Sequence, residues 1–162
     1  MERKKHIVHI SAMIVRDDKR FLIIRRHEKE IAFPNMWTIP GGKAEEDEGV
    51  MEVLKREVKE ETGLGIKDRF DFLWDYAFRR PDGHTVKGFC FRVWPTTKRV
   101  KLEDHREAYA WISVKDVDKY EFAEGVKEKI RETSWKWLER PGDVDTVRKA
   151  ARKGRLTVST RC

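Results

Sequence analysis

Glu57, Glu60 and Glu61 stand within five residues of one another, in the run Arg56-Glu57-Val58-Lys59-Glu60-Glu61. They belong to a stretch, Gly41 to Leu64, with eight carboxylates in 24 residues, inside a chain whose formal net charge is +7. On a helix of 3.6 residues per turn, Glu57 and Glu61 share a face and Glu60 lies within a turn of both. Like charges at that spacing cost a few tenths of a kcal/mol on an exposed helix, and more where they converge in a cleft. A hard divalent cation removes the conflict. Mg²⁺ takes oxygen ligands, keeps several waters and shares its shell with substrate phosphates. The chemistry indicated is metal-assisted work on phosphate. On charge pattern alone, a solvated acidic helix laced by Glu52–Arg56 and Arg56–Glu60 pairs accounts for the residues equally well.

Such carboxylates must be held by a helix, and residues 47–62 have its pattern. Val50, Leu54 and Val58 repeat at i, i+4 and i+8 with Met51 beside them, and Gly63 follows at the position of a left-handed cap. Upstream, residues 6–15 read as a strand in which Val8, Ile10, Ala12 and Ile14 alternate with His9, Ser11 and Met13. Residues 16–20 (RDDKR) read as a hairpin turn, with 21–26 as the partner strand. A polar loop covers 27–35, and 36–40 is a short extended piece before Gly41-Gly42. Residues 69–80 and 84–94 are β-rich around a Pro81-Asp82-Gly83 turn. A short strand follows at 109–114, with Trp111 assigned to the core. An amphipathic helix spans 121–138, with Phe122, Val126, Ile130 and Trp137 near one face, and Pro141-Gly142 stops it. The order predicts an α/β domain with a mixed sheet between helices.

The 162 residues suit one domain with a single core. No run approaches the roughly 20 apolar residues of a membrane span, and the N-terminus lacks the features of a signal peptide. Cys90 sits in an apolar strand pattern and Cys162 is the last residue, so no structural disulfide is expected and a reducing cytoplasm is. Gln is absent and Asn occurs once, at Asn35, while Lys, Arg and Glu abound, the composition expected of a thermophile. Residues 141–162 carry six basic residues against two acidic ones. Such a tail can bind RNA or other phosphates, although no aromatic residues are interleaved for base stacking, and a solvated tail is the preferred account.

The spacing decides between the two accounts of the acidic helix. Gly42 is followed by five residues, then Glu48, then seven residues, then Arg56 through Leu64. This resembles, without a departure, the signature G-x5-E-x7-R-E-U-x-E-E-x-G-U of the Nudix hydrolases, where U is apolar. Pro40-Gly41-Gly42 before the box, Trp37 upstream and 104–113 downstream are similar to the family as well. The resemblance implies a Nudix-type α/β/α sandwich with a central mixed sheet over residues 1–140, followed by a basic C-terminal tail, 141–162.

It also implies Mg²⁺, or Mn²⁺, held by Glu57, Glu60 and Glu61, with the Gly41 carbonyl able to join. Metal ions neutralise a pyrophosphate, polarise its phosphoryl oxygen and acidify a bound water, and a carboxylate takes the water proton. Arg56 is expected to pair with neighbouring carboxylates and fix their rotamers. Gly42 is expected to permit an approach that a Cβ would block. Family members take the base either from the box or from a later loop, which here points to Glu107, with Glu103 and Asp104 as alternatives. Arg25, Arg26 and Lys43 are candidates for phosphate. Trp37, Phe33 and Trp74 are candidates for base stacking, each set against plain packing.

The family cleaves nucleoside diphosphates linked to another group. The implied substrate is a small nucleotide, either a (d)NTP or an ADP-ribose-like molecule. Pro81 falls in the region where ADP-ribose-cleaving members carry a proline, but the turn explains it. Rival assignments are RNA 5′-end pyrophosphohydrolysis helped by the tail, and a Nudix-like nucleotide-binding module without catalysis. The intact box speaks against the last. No membrane partner is implied. Several members are dimers, so a homodimer fits the resemblance, though nothing in the sequence locates an interface.

Overall fold

The computed structural model describes residues 6–103 and 108–138. The strands are β1 (His6–Ile14), β2 (Phe21–Arg25), β3 (Trp37–Thr38), β4 (Gly41–Lys43), β5 (Asp71–Arg79), β6 (Thr85–Val93) and β7 (Tyr109–Ile112). Helix α1 spans Val50–Thr62, a 3₁₀ helix Val114–Lys119, and α2 Val126–Leu138. The strands form two sheets, β4-β1-β6-β5 and β3-β2-β7. In the first, β1 and β6 run parallel and the other pairs antiparallel, so the sheet is mixed, as expected.

β1 has both faces covered. Ile10, Ala12 and Ile14 pack with Val53, Leu54 and Val58 of α1, Leu22 and Phe91. Met13 and Val15 pack on the opposite side with Phe21, Leu73, Ile130 and Trp137, which joins α2 to the sheet. Each of the large apolar side chains so buried contributes about 1.5–3 kcal/mol relative to exposure. Val53 takes the deep position on α1 that the periodicity assigned to Val50, which is only partly buried. Trp111 is likewise half-buried rather than in the core, with the Arg16 guanidinium 4.5 Å above its ring.

Three expectations are corrected. Residues 16–20 do turn, with Arg16 N–H donating to Arg20 O at 2.9 Å. However, β1 and β2 lie in different sheets and share a single bridge, Val15 to Phe21. The turn hands the chain from one sheet to the other, because β6 and β4 already occupy both edges of β1. Helix α1 starts at Val50, where the Glu52 carboxylate accepts from Gly49 N–H at 3.0 Å. Helix α2 starts at Val126 rather than 121. Residues 121–123 instead run beside β3, with Trp37 N–H donating to Glu121 O (2.8 Å) and Ala123 N–H to Trp37 O (2.9 Å), and Gly125 at φ +81° ends that extended piece. The tail beyond 140 lies outside the described residues.

Candidate functional site

β4 is three residues long and two of them are glycine. Ile10 faces Gly42 across the ladder and Ser11 faces Gly41. A Cβ on Gly41 would stand 2.4 Å from Ile10 O and 2.7 Å from Ser11 Cα, so only glycine lets this strand close on β1. A Cβ on Gly42 would stand 2.1 Å from Cδ of Glu57. The Glu57 carboxylate occupies the space that the missing side chain leaves.

Glu61, one turn later, is buried at 6% exposure, and its Oε2 accepts the Gly41 N–H at 3.1 Å. The structure thus brings Glu57 and Glu61 together over the glycine pair. Glu60 is half exposed and, among the described residues, reaches Arg56 at 3.4 Å. As the side chains stand, no three carboxylate, histidine or cysteine groups among the described residues are close enough together to hold one ion.

Arg56 organises the set. Its Nε and Nη2 grip both oxygens of Glu48 at 2.5 and 2.7 Å, and its Nη1 reaches Glu57 Oε1 at 2.6 Å. Nη2 also donates to Lys43 O at 3.0 Å, which ties the helix to β4. Glu48 is therefore bound to Arg56 rather than directed at a ligand, and the guanidinium lowers its pKa to about 2. Glu57 moves the other way. Burial raises its pKa, and Arg56 opposes the rise without cancelling it. Its Oε2 has no hydrogen bond among the described residues. A half-buried, under-solvated carboxylate with a free oxygen, beside a second carboxylate and a close backbone, is a donor set suited to a hard divalent cation. On the chemistry of the donors, the residues fit the implied metal.

Beside this set, on the other face of the first sheet, lies a cleft of about 650 Å³. Lys43 and Ser11 line it, so it borders β4 directly. Its walls are largely apolar, including Ile39, Phe33, Trp74 and Phe78, and Arg26, Arg80 and Lys129 add positive charge. Of the expected phosphate residues, Arg26 and Lys43 line the cleft and Arg25 does not. Arg26 is engaged, donating to Ala32 O at 2.7 Å and to Glu30 at 3.2 Å, and Arg25 Nε donates to Asn35 O at 3.2 Å. Trp37 is absent from the lining and packs edge-on against Tyr120, ring centroids 5.0 Å apart. Phe33 and Trp74 do line it. Glu107 and Asp104 lie outside the described residues. Glu103 is exposed, with its N–H on Glu61 O at 3.3 Å.

Sequence reasoning missed the polar group within the cleft. His9 Nδ1 lies 2.6 Å from the Tyr76 hydroxyl, which lies 2.7 Å from Ser11 Oγ. Gly88 sits between His9 of β1 and Tyr76 of β5 in the ladder, and a Cβ there would meet the Tyr76 ring at 2.0 Å. Burial, helped by Arg26, lowers the His9 pKa to about 4, so the ring is neutral. Burial raises that of Tyr76. The signal was present in the alternation of His9 and Ser11 along a strand with both faces covered.

Residues 5–137 match the NUDIX domain family. Among curated proteins, the nucleoside triphosphatase NudI of Escherichia coli K12 is 24% identical over 131 residues, spanning 75% of this chain and 93% of the relative. Among solved structures, the MutT protein from Methanosarcina mazei Go1 superposes with a TM-score of 0.70 at 25% identity, over 84% of this chain and 98% of that one. The NUDIX domain of Shewanella oneidensis NrtR, solved with ADP ribose, gives 0.64 at 18% identity over 80% and 89%, a likeness of fold.

Proposed function

The chain belongs to the NUDIX family of hydrolases acting on pyrophosphate bonds, and on that premise we propose that it is a Mg²⁺-dependent pyrophosphohydrolase of a nucleoside diphosphate derivative, in the first place a nucleoside triphosphate. One observation carries the proposal. Glu57 and Glu61 meet over Gly41-Gly42, and the same strand, through Lys43, borders the cleft. The relative named as a nucleoside triphosphatase supports the choice of substrate. The fold neighbour solved with ADP ribose keeps an ADP-ribose-like substrate as the second candidate.

Glu57 and Glu61 would hold the metal with the Gly41 backbone, and Glu60 would join from the rim. A bound Mg²⁺, or Mn²⁺ in its place, supplies neutralisation of the pyrophosphate charge and an acidified water. The chain's own residues do the rest. Arg56 fixes the carboxylates, its fork on Glu48 acting as the anchor. Lys43 and Arg26 attract the phosphates, and the apolar walls take the nucleoside. A carboxylate receives the water proton. Glu57, whose Oε2 makes no hydrogen bond among the described residues, is one candidate, and Glu107 is the alternative from the later loop.

The test is to incubate the protein and Mg²⁺ with (d)NTPs, ADP-ribose, diadenosine polyphosphates and 5′-triphosphate RNA, alongside Glu57→Gln and Glu61→Gln. One nucleotide should release a nucleoside monophosphate, with kcat at least about a hundredfold lower in both variants. Undiminished turnover in either variant, or no cleavage of any nucleotide, would sink the proposal. Selective cleavage of the RNA would replace the small nucleotide as substrate.

A further inference from the structure

The cleft walls supply area but little direction, since an apolar pocket separates similar ligands by only about 10–200-fold per methylene-sized difference. Direction needs a polar atom held still. His9 lines the cleft, and its Nδ1 is engaged by Tyr76 at 2.6 Å, with Ser11 Oγ further off at 3.4 Å. Its other nitrogen, Nε2, has no hydrogen-bond partner among the described residues. Among the described residues, the enclosed and unpartnered side-chain atoms are Arg80 Nε and Trp137 Nε1, and Nε2 is not one of them. His9 is only partly buried and its side chain lines the cleft.

The three contacts admit two proton orders. In one, His9 Nδ1–H donates to the Tyr76 oxygen and Tyr76 O–H to Ser11 Oγ, which leaves Nε2 a bare acceptor. In the other, Ser11 Oγ–H donates to the Tyr76 oxygen and Tyr76 O–H to His9 Nδ1. A neutral ring then carries its single proton on Nε2 and offers a donor to the cleft. This second order belongs to the inference drawn below, and a preference for the amino nucleotide would overturn it. Gly88 makes the arrangement possible, since any side chain there would displace the Tyr76 ring.

We propose that His9 is a specificity-determining residue, whose Nε2–H selects nucleotides with an oxo group on the heterocyclic base over those with an amino group there, and that Tyr76 and Ser11 are positioning residues that hold it. This rests on the cleft being the nucleoside site, as proposed above. It does not require hydrolysis or a metal.

The test is therefore equilibrium binding by calorimetry, without metal, of inosine monophosphate and adenosine monophosphate, which differ on the purine edge by an oxo against an amino group. Wild type should bind the oxo nucleotide about tenfold more tightly, the size of one hydrogen bond gained against one donor left facing another. His9→Gln carries an amide nitrogen where Nε2 stood and should keep that affinity within about threefold. His9→Asn replaces only Nδ1 and should bind the oxo nucleotide about as weakly as the amino one. A histidine that merely ties β1 to β5 through Tyr76 would give the reverse, with Asn harmless and Gln damaging. Tyr76→Phe keeps the ring over Gly88 and removes the hydroxyl, and should narrow the preference about threefold. Equal binding of the two nucleotides to wild type, a preference that survives in His9→Asn, or no binding of either would overturn the proposal. Binding with the stated preference but without turnover would instead refute the pyrophosphohydrolase and leave His9 its role.

Discussion

Alanine at Gly42 should separate activity from stability. The new Cβ would fall 2.1–2.3 Å from Cδ and both oxygens of Glu57. The carboxylate is the free end of a flexible side chain, so it swings away and the backbone stays. What the fold loses is the Glu57–Arg56 contact at 2.6 Å, a partly buried ion pair on the order of 1–2 kcal/mol. Alanine offsets about 0.4–1 kcal/mol of this by narrowing the unfolded ensemble. The net is about 1 kcal/mol, or a melting temperature about 3 °C lower. The site loses far more, because a catalytic group displaced by about 1 Å costs on the order of a hundredfold in rate. Gly41→Ala is the contrast. Its Cβ meets backbone, Ile10 O at 2.4 Å and Ser11 Cα at 2.7 Å, which cannot swing aside. β4 must then pull off β1, at roughly 3 kcal/mol or more. Thermal melts monitored by circular dichroism, Mn²⁺ binding by electron paramagnetic resonance and nucleotide turnover would be read on both variants. A Gly42→Ala protein that binds Mn²⁺ and turns over like wild type, or that melts below Gly41→Ala, would refute the reasoning.

Arg56→Lys should lower kcat about tenfold with little change in melting temperature, because the two-pronged grip on Glu48 and the reach to Glu57 are lost while the charge remains; steady-state kinetics beside a melt would show the split. His9 should make the fold acid-sensitive. Its pKa is near 4 when folded against 6.5 when unfolded, so the unfolded chain binds more protons between those values and stability falls as pH drops from about 6.5 to 4. The ceiling is about 3 kcal/mol, read as the difference in urea-unfolding slope against pH between wild type and His9→Gln. Gly63→Ala should lower the melting temperature by about 5 °C, since φ is +71° there and a Cβ costs about 1–2 kcal/mol in that conformation.

Local pattern carried much of this in the sequence. The helix under the carboxylates, its glycine stop and the 81–83 turn each rest on neighbours a few residues apart, and each is present, the helix starting three residues later than expected. What depends on distant pairing did not show. Nothing near residues 16–20 reveals that β4 and β6 take both edges of β1, so the simplest hairpin was expected and is absent. The start of α2 moved because residues 121–123 found partners on Trp37, far back in the chain. The sequence marks Glu61 as a metal ligand but gives no sign that it is buried against a backbone amide 20 positions upstream. His9, Ser11 and Tyr76 meet only across Gly88, whose place within a strand was itself a sign of close approach.

The glycine pair, Arg56 and the box carboxylates all fall between Gly41 and Glu61, in one unbroken piece of chain. Apart from Lys43, the cleft is built from elsewhere: β1, the loop after β2 and residues 38–39 before that piece, and β5, β6 and the start of α2 after it. Substitutions, and insertions in the loops, can therefore remodel what the cleft admits while the carboxylate cassette keeps its internal contacts. The architecture makes the cleaving part heritable as a unit and the selecting part free to diversify, so new substrates can arise without reinventing the chemistry.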